Sequence, residues 1–195
     1  MSYTKNIYKK INKCRISDDK KLISVAKFPD MGLTGTFPKS KKEKIIKTPF
    51  EVVFSKKSKL LQLRHNYNPK ILYGKNYGYR SGLNPTMIKH LNDKKNYLSK
   101  KFKIRKLDLI LDIGSNDGTF LNFFNNNNRC YGIDPSIVKL KKFYKKNTNL
   151  YSSTFEKTFK KISNKKFKLI SAVAMFYDLE KPMQFVKNIK SILKE

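Results

Sequence analysis

The chain has 195 residues, with 44 Lys+Arg against 14 Asp+Glu and a formal charge of +30; 39% of its residues are hydrophobic and 13% aromatic. That is enough apolar material to bury a core, so wholesale disorder is excluded, and no apolar run approaches the roughly 18–20 residues of a transmembrane helix. Two cysteines, Cys14 and Cys130, cannot make a disulfide framework, and Met1-Ser2-Tyr3-Thr4-Lys5 lacks the apolar stretch of a signal peptide. A cytoplasmic, reducing setting with no membrane association is therefore expected.

Of the basic residues 39 are Lys and only 5 are Arg, spread along the whole chain. Bidentate phosphate recognition and base readout favour Arg, so this charge implies nonspecific nucleic-acid binding at most, and compositional drift toward Lys and Asn also accounts for it.

Residues 1–75 read as short extended pieces. Strand-like content falls at 22–26, 50–54 and 60–63, while Pro29-Asp30-Met31-Gly32 and the basic stretch 38–47 carry loop chemistry. Residues 76–106 form a connector with a Tyr/Gly-rich loop. Pro85 is placed to open a helix in which Met87, Ile88, Leu91 and Leu98 recur near helical spacing.

From residue 107 to 195 the pattern alternates. Strands are expected at 107–113, 130–133, 150–151 and 167–175, and helices at 117–124, 136–146, 155–162 and 182–193. This alternation predicts an α/β fold with a doubly wound parallel sheet. The strand at 167–175 is expected beside the first one. It would leave Leu169, Ile170, Ala172, Val173 and Ala174 as an apolar edge, open to self-association or to a second polypeptide.

The most informative segment is Leu111-Asp112-Ile113-Gly114-Ser115-Asn116-Asp117-Gly118. A buried strand runs into a glycine turn and a helix follows, the place where ligands of such sheets bind. It is not the dinucleotide fingerprint, because Asn116 and Thr119 stand at its second and third glycine positions. Asp112 and Asp117 beside the turn suit a cationic, amine-bearing cofactor such as S-adenosylmethionine. Asp134 follows Gly114 by 20 residues, ahead of Pro135, where a carboxylate accepts from ribose hydroxyls. An ordinary turn with Asp134 as a helix cap is the other reading of the same residues. Met175 and Phe176, after the fourth strand, stand where apolar groups line an adenine or methyl-transfer site.

These residues resemble the nucleotide-sugar C-methyltransferases. The resemblance runs through Gly35-Thr36-Phe37-Pro38-Lys39-Ser40, Leu60-Leu61-Gln62-Leu63-Arg64-His65-Asn66-Tyr67 and Tyr73-Gly74-Lys75-Asn76-Tyr77-Gly78-Tyr79-Arg80-Ser81-Gly82-Leu83-Asn84. It continues through the glycine turn, Gly132-Ile133-Asp134-Pro135 and Met175-Phe176-Tyr177-Asp178-Leu179. It implies a small β-rich, zinc-ribbon-like module before a Rossmann-like class I S-adenosylmethionine domain. The implied reaction is methylation of a carbon next to a ketone on a nucleotide-linked deoxysugar. It further implies that Asp112, Gly114, Ser115, Asn116, Asp117 and Gly118 hold the methionine end and Asp134 with Pro135 the ribose. Tyr77 and Tyr79 would relay a proton and Arg80 would hold a diphosphate oxygen.

Two departures shape the expectation. The family's zinc module uses two Cys-x-x-Cys pairs, whereas this chain has Cys14-Arg15-Ile16-Ser17 and Ser55-Lys56-Lys57-Ser58. Neutral Ser is a poor Zn²⁺ ligand, and His65 and His90 have no ligand-spaced partners, so no metal is expected. Family members also continue past Lys194-Glu195 with further sheet, so an incomplete sheet and an N-terminal portion of the enzyme are expected. Two other functions stay open at this point. One is a noncatalytic cofactor-binding remnant or subunit that needs a separate C-terminal half. The other is an RNA methyltransferase.

Overall fold

The computed structural model describes residues 7–33, 38, 40–73, 77–124 and 126–194. Met1 to Lys5, Gly35-Thr36-Phe37, Lys39 and Gly74-Lys75-Asn76 lie outside the described residues. The chain divides into two compact units, Met1–Gly78 with Asp178–Met183, and Tyr79–Tyr177 with Gln184–Glu195.

The first unit contains β1 (Tyr8–Lys10), β2 (Leu22–Gly32), β3 (Lys47–Ser55), β4 (Leu60–Leu63), β5 (His65–Tyr67) and the short α1 (Pro69–Leu72). Strands β2, β3 and β4 form an antiparallel sheet, and β1 pairs with β5. Val53 and Ser55 on β3 and Cys14 ahead of β2 are fully buried. The expectation of a loop at Pro29–Gly32 is corrected, because these residues continue β2. A register shift between Phe28 and Met31 takes up Pro29, which has no N–H to give the ladder.

In the second unit, the Asn84 side chain accepts from the N–H groups of Thr86 and Met87 and caps α2 (Pro85–Lys101). Pro85 at the first helical position loses nothing, since its N–H would be unpaired there anyway. Then follow β6 (Leu109–Ile113), α3 (Thr119–Asn122), β7 (Arg129–Ile133), α4 (Ile137–Leu140), β8 (Asn149–Tyr151), α5 (Phe155–Ile162), β9 (Leu169–Ser171) and α6 (Pro182–Ile192). The four strands form one parallel sheet in the order β8-β7-β6-β9. Ile110, Cys130 and Leu169 are register partners across it and share a buried cluster with Leu91 of α2 and Phe120 and Leu121 of α3. Elsewhere Phe155 of α5 packs edge-on to Phe185 of α6. This is the α/β parallel sheet that the alternating pattern predicts.

Four element boundaries differ from expectation, each for a local reason. Leu107 and Asp108 stay outside β6, because Leu107 sits at φ 70° and gives its N–H to Asn127. Helix α3 starts only after Gly118, which is in the left-handed region. The helix expected over 136–146 stops early. Asn122 on α3 donates to the carbonyl of Phe143 and accepts from Lys145 N–H, turning the chain there. The strand expected over 167–175 is only Leu169–Ser171, because residues 172–175 turn, with Ala174 at φ 53°. Ala172, Val173 and Ala174 therefore leave the strand edge. Phe167 instead pairs in parallel with Leu193, giving its N–H to Ile192 and accepting from Lys194 N–H, both at 2.8 Å.

Phe167 is fully buried and meets Tyr131 edge-on at 5.2 Å. Phe167→Ala is expected to cost about 3–5 kcal/mol in urea unfolding, while Leu193→Ala, 41% exposed, costs under about 1. Equal small losses from both would contradict this packing.

Candidate active site

The site is built on a backbone that only certain residues tolerate. β6 ends at Ile113, and Gly114 (φ 75°), Asn116 (φ 50°) and Gly118 (φ 77°) all adopt left-handed conformations within five positions. Gly114 and Ser115 give their N–H groups to the carbonyl of Ile133 at the end of β7, and Gly118 gives its own to Ser115. A Cβ at Gly118 would lie 2.4 Å from Cδ1 of Tyr144, and one at Gly114 3.0 Å from Cγ of Met175. Both glycines are thus required by contact as well as by conformation.

Asp134 stands just past the end of β7. Its Oδ2 accepts the N–H of Asn116 at 3.0 Å and its Oδ1 accepts that of Ser136 at 2.6 Å. It is therefore both turn cap and loop partner. A carboxylate offers about four acceptor positions, so capacity remains for hydroxyl donors. Pro135, next to it, is exposed.

The side chains of the turn face inward. Ser115 Oγ shares a 2.8 Å hydrogen bond with the Tyr144 hydroxyl, which also donates to the carbonyl of Asn116 at 2.8 Å. Burial pushes the Tyr144 phenol well above its usual range and holds it neutral. Asn116 accepts from Ser81 N–H and donates to the Tyr79 carbonyl, both at 3.0 Å. Asp117 accepts from Gly82 N–H at 3.0 Å and from Thr119 N–H and Oγ1. Its Oδ2 lies 3.4 Å from Arg80 Nε, and the Arg80 guanidinium lies 3.5 Å over the Phe143 ring. Residues 79–82 are thus strapped to the glycine turn, whose residues 115–118 are buried.

Asp112, 3% exposed, accepts from Ser171 Oγ at 2.6 Å. Burial pushes its carboxyl up to about 7, with the Ser171 bond opposing and the Asp134 charge adding. Asp112, Asp117 and Asp134 put three of the chain's 14 acidic residues around one turn. Met175 packs on Gly114, and Phe176, 44% exposed, meets Phe185 at 5.8 Å. Tyr79 is 43% exposed. Tyr77 belongs to the first unit, where it meets Tyr73 edge-on at 5.3 Å. Tyr144, Ser171 and Gly82 joined the site without a sequence signal. Gly82 could have been suspected as a glycine in a specific segment, and a Cβ there would lie 2.7 Å from Thr119 Oγ1. Nothing in the spacing marks Tyr144 or Ser171.

In the first unit, Cys14 and Ser58 come together while Ser55 turns to Asp19. Cys14 Sγ lies 3.1 Å from Ser58 Oγ, and Ser55 donates to Asp19 at 3.1 Å. Burial pushes the Cys14 thiol up, but hydrogen bonds from Ser17, Ser58 and Ile16 N–H outweigh it and bring it to about 7. One thiol among hydroxyls does not fit Zn²⁺, and no cluster of three or more His, Cys, Asp or Glu able to hold a metal occurs among the described residues. Burial pushes the Cys130 thiol up to about 12, an inert core group. No helix among the described residues is long and apolar enough to cross a membrane.

Residues 83–195 match the family described as a methyltransferase domain. C-methyltransferase NovU of Streptomyces niveus is 26% identical over 134 residues, 67% of this chain and 32% of NovU, so the chain spans about a third of that relative. Among solved structures, the plantazolicin methyltransferase BpumL in complex with a triazolic analogue and SAH is similar at 21% identity and a TM-score of 0.45, over 58% of this chain and 46% of BpumL. Precorrin 8W decarboxylase of Methanobacterium thermoautotrophicum is similar at 17% identity and a TM-score of 0.43, over 52% and 57% of the two chains.

Gly118→Ala forces a Cβ into Tyr144, and a loss of roughly 2 kcal/mol or more is expected in urea unfolding; an unchanged midpoint would contradict the loop geometry. Asp112 carries a raised folded pKa, so its contribution is fully present below the unfolded value near 4 and is lost as pH rises toward 7. Wild type should therefore lose up to about 1.4 kcal/mol per pH unit relative to Asp112→Asn between about pH 4 and 7. A pH-independent difference between the two proteins would refute the burial of this carboxyl.

Proposed function

Because the chain belongs to the methyltransferase-domain family, we propose that it binds S-adenosylmethionine at the glycine turn and serves methyl transfer to a carbon next to a ketone on a nucleotide-linked deoxysugar. The observation that carries the cofactor is the Asp134 carboxylate set beside the glycine turn, fixed by Asn116 and Ser136 N–H with acceptor capacity left. The donor set fits the group: carboxylates attract its ammonium and sulfonium charges, and the Gly114 surface, closed by Met175, leaves no room for a side chain.

Asp134 would accept the ribose hydroxyls, with Pro135 beside it. Asp112 and Gly114 would hold the methionine end, and Met175 and Phe176 would line the adenine or methyl-transfer side. When bound, the cofactor supplies an electrophilic methyl group. The chain's own task is orientation, exclusion of water and removal of a proton from the carbon next to the ketone. Tyr79 and Tyr77 are the proton-moving candidates. For Arg80, the Asp117 and Phe143 contacts favour a role in holding the loop, with any diphosphate contact made by its remaining N–H groups. A carbon acceptor is supported by the likeness to NovU, a C-methyltransferase. Two buried free cysteines suit a cytoplasmic setting.

A second, noncatalytic reading separates cofactor binding from turnover, and the observation behind it is the place of β9 at the end of the strand order. A second polypeptide or a second copy at the open edge of β9 belongs to that reading. Calorimetric titration with S-adenosylmethionine tests the binding claim. Wild type should bind, and Asp134→Ala should weaken binding by about 10- to 100-fold, a loss of roughly 1.4–2.7 kcal/mol. Absence of binding at millimolar ligand would reject both readings. Binding without methyl transfer to a keto sugar would select the noncatalytic one.

A further inference from the structure

At the other end of the parallel sheet lies a concavity of about 430 Å³ lined by Lys101, Phe102, Lys103, Arg105, Asp108, Lys168 and Lys194. These residues come from the end of α2, the turn into β6, the residue before β9 and the second residue after α6. Over the whole chain 44 of 195 residues are basic, but five of these seven are, so the convergence exceeds what composition supplies. Among the described residues none of the five cations makes an ion pair. The one acid in the wall, Asp108, spends Oδ2 on the N–H of Arg105 at 2.7 Å. Phe102 is 43% exposed, and Tyr97, one turn back on α2, is 60% exposed. Lys101 Nζ lies 5.7 Å from the first ring and 5.4 Å from the second.

Uncompensated cations around a hollow of nucleotide size, with an exposed ring in its wall, are the two parts of a single-strand platform: charges for the phosphates and a face for a base. We propose that this pocket binds single-stranded nucleic acid, with a base stacked on Phe102 and the flanking phosphates held by Lys103, Arg105, Lys168 and Lys194. Lysine dominates and no arginine fork is aimed at a base edge, so the binding does not discriminate sequence. The five residues of β6, about 17 Å of strand, separate the pocket from Gly114. The nucleotide stacked in this pocket is therefore not itself positioned at the glycine turn.

The full chain is titrated at about 0.15 M salt with a dye-labelled oligouridylate of about 12 nucleotides and, separately, with inorganic polyphosphate, both read by competition. Reversing two pocket charges, Lys103→Glu with Lys168→Glu, should weaken oligonucleotide binding about tenfold or more. The same charge change on exposed α5 residues, Lys157→Glu with Lys160→Glu, should weaken it less than about threefold. Phe102→Ala should weaken the oligonucleotide by about tenfold and leave polyphosphate within about twofold. Equal losses from the pocket and α5 reversals would overturn the proposal, because the net charge alone would then do the binding. Insensitivity of the oligonucleotide to Phe102→Ala would also overturn it, reducing the pocket to a site for any polyanion. Lys194→Glu with Arg105→Glu gives a second reversal, so that misfolding of one pair does not decide the result.

Discussion

The glycine turn between β6 and α3 sets the terms for the rest of the second unit. Its three left-handed residues fold the chain back so tightly that every side chain in the turn must find a partner inside the protein. Ser115 finds Tyr144, Asn116 finds the backbone of Tyr79 and Ser81, and Asp117 finds Gly82, Thr119 and Arg80. With these groups committed inward, the acceptor capacity left beside the turn is that of the Asp134 carboxylate. The same geometry explains why Tyr144 is buried with its hydroxyl satisfied, and why the helix before it stops short. A phenol deep in the core needs both of its partners, and the chain reaches them only by leaving the helix after Phe143.

The segment Tyr79–Gly82 gains a meaning that its sequence alone does not reveal. Arg80 looks like a substrate-binding cation, and a chain with so few arginines invites that reading. In the structure its guanidinium is stacked on Phe143 and paired with Asp117, and the peptide N–H groups of Ser81 and Gly82 saturate the acceptors of the turn. This is an arrangement in which a specific sequence serves to hold a loop in shape. The cost of misplacing it would appear at the ligand without any direct contact.

Legibility in the sequence followed the range of the interactions involved. The strands of the parallel sheet, the capped α2 and the glycine turn were readable, because each depends on periodicity, a cap or a glycine within a few residues. Asp134 was readable because strand length fixes how far it follows Gly114. What was not readable depended on contacts between distant positions. Asn122 holds the Phe143 carbonyl after α4 from 21 residues away, Ser171 reaches Asp112 across the sheet, and Phe167 pairs with Leu193 instead of extending its own strand. Pro29 misled in the other direction, since a bulge let β2 run through it. In the first unit, Cys14 meets Ser58, and Ser55 meets Asp19. Hydrogen bonds between a thiol and hydroxyls hold them, with Asp19 as acceptor.

On the proposed reading the Asn116 side chain, bonded to Ser81 N–H and the Tyr79 carbonyl, shapes the cofactor site through the strap. Amide hydrogen exchange on Asn116→Ala, with and without S-adenosylhomocysteine, tests it most directly. The Ser81 and Gly82 amides should exchange faster in the variant, and its affinity for S-adenosylhomocysteine should fall by about tenfold or more, about 1.4 kcal/mol. Fast exchange at Ser81 with wild-type affinity would contradict it.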